Sequence, residues 1–170
     1  MTTAKKQQNA KPKIDEVVSD ILHDKNLENA LDLISFIKES KISLRWASTH
    51  CWQLYYKSQR IGLIRMSEKA YPMYRLRENA WLFAPWGLDD VLNTEAATND
   101  KTKEIIWNSV LLCNNCGSCG PGRDFTFHGK TFEKACQGGR MHMANPDKDT
   151  LECIKRLLRA KKKQLDNPAV

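Results

Sequence analysis

Residues Ile42-Ser-Leu-Arg-Trp-Ala47 set Ile42, Leu44 and Trp46 in alternation with Ser43, Arg45 and Ala47. Cys51-Trp-Gln-Leu-Tyr-Tyr56 likewise sets Trp52, Leu54 and Tyr56 against Cys51, Gln53 and Tyr55. A period of two sends successive side chains to opposite faces, so both stretches read as strands with one apolar face. Lys57-Ser-Gln59 is a polar turn into Ile61-Gly-Leu-Ile-Arg-Met66. Residues 50–66 therefore read as an antiparallel hairpin, and Ala80-Trp-Leu-Phe-Ala84, stopped by Pro85, reads as a further strand of the same sheet.

On either side of these strands the period changes to three and four. Val17, Val18, Ile21 and Leu22 predict a short amphipathic helix, and Leu27, Ala30, Leu31, Ile34 and Ile37 predict a second that packs on it as a hairpin. Downstream, Ile105, Ile106, Ser109, Val110 and Leu112 predict a helix over 101–112 that delivers Cys113 at its C-terminal end. Residues 124–128 and 131–135 around Gly129-Lys130 read as a small hairpin, although the second limb also fits a helical turn. Asn145-Pro146 has the form of a helix start, cap followed by proline, and Leu151, Ile154, Leu157 and Leu158 define the buried face of a last helix. The fold class expected is α+β, a small antiparallel sheet packed against helices, with a cysteine-rich metal-knuckle segment before the C-terminal helix.

A length of 170 residues suits one domain with tails. The polar residues 1–13 are expected as a disordered tail, residues 14–160 as a single domain that includes the cysteine-rich segment 113–139, and residues 161–170 as a basic tail. The net charge of +7 invites a nucleic-acid reading, but its distribution argues against one. Residues 1–13 carry +4 and residues 155–170 carry +5, which leaves −2 for everything between. No apolar run reaches the roughly 18 residues of a membrane span, and the Lys- and Gln-rich start lacks the apolar core of a signal peptide, so a cytoplasmic protein without a membrane partner is expected.

In a reducing compartment clustered cysteines point to metal ligation or redox chemistry before disulfides. Cys113-Asn-Asn-Cys116-Gly-Ser-Cys119-Gly-Pro-Gly122, answered by Cys136-Gln-Gly-Gly139, gathers four of the six cysteines around glycine-rich turns. Two thiolates separated by two residues reach one tetrahedral ion, and the glycine that follows takes the positive φ that turns backbone N–H groups toward sulfur. Cys113, Cys116, Cys119 and Cys136 are therefore candidate ligands for a structural zinc ion, with His128 and His142 as substitutes. An iron–sulfur cluster is the runner-up, since Cys-x-x-Cys-x-x-Cys has ferredoxin spacing but lacks the fourth cysteine and proline where that motif places them. Thiol redox cycling is a third reading, without the βαβ pattern that accompanies it in thioredoxin-like proteins. The remaining polar candidates have structural explanations: His50 and Cys51 are strand neighbours that face opposite ways, Cys153 sits among apolar positions of the last helix, and Asp89-Asp90 suits a solvated turn or a helix start.

The run from Cys113 through Phe127-His-Gly-Lys-Thr-Phe132 and Cys136 to Asn145-Pro-Asp147 and Leu151-Glu-Cys-Ile-Lys155 resembles a family of uncharacterised Gram-positive bacterial proteins, found free-standing and fused to regulators of the AraC type. The order of helices, tryptophan-bearing strands and last helix resembles the YdhG-like domains of unknown function, which implies a sheet packed against helices. Neither resemblance carries a catalytic residue over to this chain.

Aromatic rings cluster between residues 46 and 86, interleaved with arginines. Most are needed for the core, but Trp52, Tyr55, Tyr71, Tyr74, Arg75, Arg77 and Trp81 form a candidate wall for a small aromatic or anionic ligand, placed between the sheet and residues 68–86. The function expected is a non-catalytic ligand-sensing or interaction module, with a protein partner as a further possibility. Its alternatives are a thiol or iron–sulfur redox enzyme and a zinc-ribbon nucleic-acid binder.

Overall fold

A computed structural model describes residues 10–72, 76–87, 89–92, 99–117 and 119–167. After a 3-10 turn at Ile14–Glu16 come α1 (Val18–Ile21) and α2 (Asp24–Glu39), then strands β1 (Ser43–Ser48), β2 (Cys51–Tyr56), β3 (Gln59–Ser67) and β4 (Ala80–Pro85). Helices α3 (Asp89–Leu92) and α4 (Asp100–Ser109), the hairpin β5 (Arg123–Phe127) and β6 (Lys130–Ala135), the short β7 (Met143–Ala144) and the long α5 (Lys148–Asp166) complete the described elements. The protein is α+β. Its main sheet is antiparallel in the order β1-β2-β3-β4-β7, and β5 pairs with β6 in a second, two-stranded sheet.

Alternation on the strands decides which face the helices cover. Trp52 and Leu54 on β2, Ile64 and Met66 on β3 and Trp81 and Phe83 on β4 pack with Leu33, Ile34 and Ile37 of α2 and Ile154, Leu157 and Leu158 of α5 in one apolar core. Gly62 makes room for it, because a Cβ there would lie 2.9 Å from the Phe83 ring. Where α5 meets α2, Lys155 reaches Asp32 at 2.8 Å and Glu152 at 3.2 Å, so its buried stem ends in a satisfied ammonium. β4 is buried along both faces: Ala80, Leu82 and Ala84 join Leu76 and the partly buried Leu63 in a second, smaller apolar layer on the side away from the helices.

The structure departs from the sequence expectations at element ends. The helix expected over 101–112 stops at Ser109, whose hydroxyl bonds back to the Ile105 carbonyl at 2.7 Å, and Val110 turns extended. The last helix is capped by Asp147 rather than Asn145: Asp147 Oδ1 accepts from the Thr150 amide at 2.8 Å, and hydrogen bonds from Thr150 hold its carboxyl below the usual carboxylate range. α5 also continues to Asp166, so most of the stretch expected as a basic tail is helical, and Lys161 is buried. At the other end Pro12 belongs to the domain, since its carbonyl accepts from Trp52 Nε1 at 3.0 Å. Among the described residues no helix is long and apolar enough to cross a membrane.

Candidate functional site

The four knuckle cysteines are positioned by a three-way backbone ladder. Residues 110–113 run extended between two neighbours: Leu111 N donates to Arg140 O at 2.8 Å, while Cys136 N donates to Leu111 O at 2.8 Å and Cys113 N to Lys134 O at 2.7 Å. The last two bonds flank the Leu112–Ala135 bridge, so strand alternation sends Cys113 and Cys136 to one face of this ladder. Cys113 thus arrives on an extended segment, not on a helix end.

The following turn has the local form of a knuckle. Asn115 N points at Cys113 Sγ from 3.4 Å, and Asn115 and Gly117 have φ of 57° and 75°. Gly122 closes the loop: a Cβ there would stand 2.5 Å from the Lys134 carbonyl oxygen and 2.6 Å from Cys113 Cβ, so only glycine allows that approach. Gln137 ties the far side by donating to the Pro121 carbonyl. At Gly138 an added Cβ would meet Cys119 Sγ at 3.2 Å, and at Gly139 it would meet His142 Nε2 at 2.9 Å. Cys113 and Cys136 are half-buried, and Cys116 and Cys119 are exposed. Among the described residues no three Cys, His, Asp or Glu side chains stand gathered around one point as a metal centre.

The cysteine loop lies against the sheet face that the helices leave uncovered, with a cleft of about 310 Å³ between them. Its floor is Leu63 and Arg65 of β3 and Leu82 and Ala84 of β4, and its opposite wall carries Cys116, Cys119, Cys136 and His142. Trp86 stands at the rim, 39% exposed, with the Arg60 guanidinium 3.6 Å from its ring centroid. A larger groove of about 500 Å³ runs between α4 and the start of α5, but Lys101, Glu104, Asp147 and Asp149 make it a solvated charged surface. Lys101 and Asp149 already pair there at 2.7 Å. The smaller cleft is the better candidate site because it joins an apolar floor to convergent polar groups.

The ring wall expected from sequence is dispersed. Trp52 and Trp81 are 1% and 0% exposed and belong to the core beneath the helices, where Trp81 Nε1 has no hydrogen-bond partner among the described residues. Tyr55 does face the other way, half-buried, with its hydroxyl donating to Gln53 Oε1 at 2.8 Å and Arg45 over its ring at 4.5 Å. Tyr71 is exposed and paired through its backbone with Leu76, and Arg77 is exposed. Tyr74 and Arg75 lie outside the described residues. Sequence reasoning missed Leu63, Leu82 and Ala84, yet a signal was present: residues 80–84 are apolar at every position, the mark of a strand covered on both faces.

The two cysteines outside the loop are not activated nucleophiles. Burial pushes the Cys51 thiol up, with Arg65 and Ser48 only partly opposing it, and burial pushes Cys153 up to about 11. His50 is lowered by burial against the pull of Glu68, whose carboxylate is 3.4 Å from Nε2. Comparison with family models, curated proteins and solved structures returns no match for this chain.

Proposed function

We propose that the chain is a non-catalytic binding module in which the cysteine loop, closed by a structural zinc ion, forms one wall of a small-molecule cleft. The observation that carries this reading is the shared wall: Cys116, Cys119 and Cys136 line the same cleft as the apolar residues of β3 and β4. The donor pool is Cys113, Cys116, Cys119 and Cys136, with His142 beside them, which suits a closed tetrahedral thiolate site. The N–H···S contact at Cys113 and the positive φ of Gly117 support a knuckle that tightens on an ion, with the exposed thiols of Cys116 and Cys119 swinging inward. The resemblance to proteins joined to AraC-type regulators is in keeping with a sensing role.

Exposure of Cys116 and Cys119 also favours a second reading, a redox thiol pair or cluster. Elemental analysis of anaerobically purified protein separates the readings. About one zinc per chain supports the staple. Iron with acid-labile sulfide, or no metal and a cycling disulfide, supports redox function instead.

A further inference from the structure

We propose that the uncovered sheet face, beside the cleft, binds single-stranded nucleic acid through Arg45, Tyr55, Arg60 and Trp86. This goes beyond the small-molecule cleft and needs no metal. The four residues alternate cation and ring across the sheet. Arg45 of β1 stands over the Tyr55 ring of β2 at 4.5 Å. Tyr55 lies directly opposite Arg60 of β3, so the two side chains share a face. Arg60 in turn stands over the ring of Trp86, just past β4, at 3.6 Å. Three inter-strand steps of about 4.8 Å set the ends of this row roughly 14 Å apart. The open face of a small sheet stacks two or three bases in the same way.

Charge on these strands has one sign. β1 to β4 contain Arg45, Arg60 and Arg65 and no Asp or Glu, so the −2 of the central chain is carried elsewhere and the segment totals conceal a cationic face. Among the described residues neither Arg45 nor Arg60 pairs with a carboxylate, and Arg45 is exposed. At 3.6 Å from the ring centroid the Arg60 guanidinium is in van der Waals contact with the indole. Its N–H groups lie in its own plane, so stacking leaves their edges for phosphate oxygens while the outer plane takes a base. An acidic peptide would match the charge but not the rings, and a duplex hides its bases. A single strand, alternating anion and flat ring, matches both.

The probe is a fluorescein-labelled oligothymidylate of about twelve residues, titrated with the full chain and followed by fluorescence anisotropy from about 50 to 200 mM salt. Binding should be micromolar at the low end, and log affinity should fall with log salt by about 0.7 per phosphate held. Arg45→Gln should weaken binding about threefold or more and flatten that slope by about 0.7. Trp86→Leu should weaken it about fivefold or more and leave the slope alone, because a ring contributes stacking and no charge. Arg45 is exposed, so its variant reads binding even if Trp86→Leu disturbs the fold. Lys25→Gln, which removes an exposed cation from α2, should change neither quantity. Oligouridylate of the same length is run beside the DNA: binding of either supports the proposal, and the tighter one names the sugar. No saturable binding, equal affinity for a duplex of that length, indifference to Arg45→Gln, or displacement by polyglutamate as readily as by unlabelled oligothymidylate overturns it.

Discussion

Trp81 and Asn145 are bound to each other in both directions: the Trp81 amide donates to Asn145 Oδ1 at 3.0 Å, and the Asn145 amide donates to the Trp81 carbonyl at 2.7 Å. The pair ties β4 to the segment that leads into α5, beside the Leu82–Ala144 pairing. Asn145 holds a φ of 42°, a conformation that asparagine tolerates better than most residues. Asn145→Ala should therefore cost about 2–3 kcal/mol, from an unpaired buried N–H and a strained backbone, whereas Asn145→Asp should cost less. Urea unfolding of the two variants tests this; equal losses would mean that the side-chain acceptor is not what matters.

Gly122 and Gly117 make a contrasting pair in the cysteine loop. A methyl at Gly122 collides with the Lys134 backbone and Cys113, while one at Gly117 meets nothing within 4 Å but sits at a φ of 75°. Gly117→Ala should cost about 1–2 kcal/mol of backbone strain. Gly122→Ala should instead prise the loop from β6 and lower occupancy by the proposed zinc, which elemental analysis of the folded variant would detect. Full occupancy in Gly122→Ala would contradict the tight closure.

The N-terminal boundary also has a measurable consequence. Deleting residues 1–13 removes the Pro12 carbonyl that satisfies the buried Trp52 indole, and should cost about 1–3 kcal/mol. Deleting residues 1–9 leaves that bond in place and should be neutral in a thermal melt. Equal behaviour of the two truncations would show that the indole contact contributes nothing.

Cys153 predicts a pH dependence. Its folded-state value of about 11 lies above the ordinary thiol value of 9.0, so the folded protein holds the proton more tightly than the unfolded chain. The associated stability is complete below pH 9 and is lost as pH rises toward 11, by about 3 kcal/mol in all. Cys153→Ala should flatten the stability curve over that window. An unchanged slope would assign the alkaline loss to other groups, Cys51 included.

Much of this fold was legible because periodicity reports which side chains are buried together. The alternation about Trp52 and Leu54 marked the strands and the face that meets the helices, and the turn at Gly129 marked the β5–β6 hairpin. What periodicity does not report is where a chain stops for local hydrogen-bonding reasons. Val110 and Leu112 continue a helical apolar pattern, yet they form strand bridges with Met141 and Ala135. Asn145-Pro146 imitates a cap because asparagine's acceptor is equally good for a neighbouring strand. The cleft was harder still, since Leu63 and Ala84 read as ordinary strand positions until the cysteine loop, distant in sequence, is laid over them.

A cysteine loop closed by a metal, as proposed, is tested most directly by the melting temperature of the chain with and without zinc. The ion stabilises only the folded arrangement of its ligands, so the zinc-loaded chain should melt well above the chelator-stripped chain. Identical melting in the two states would contradict the proposal.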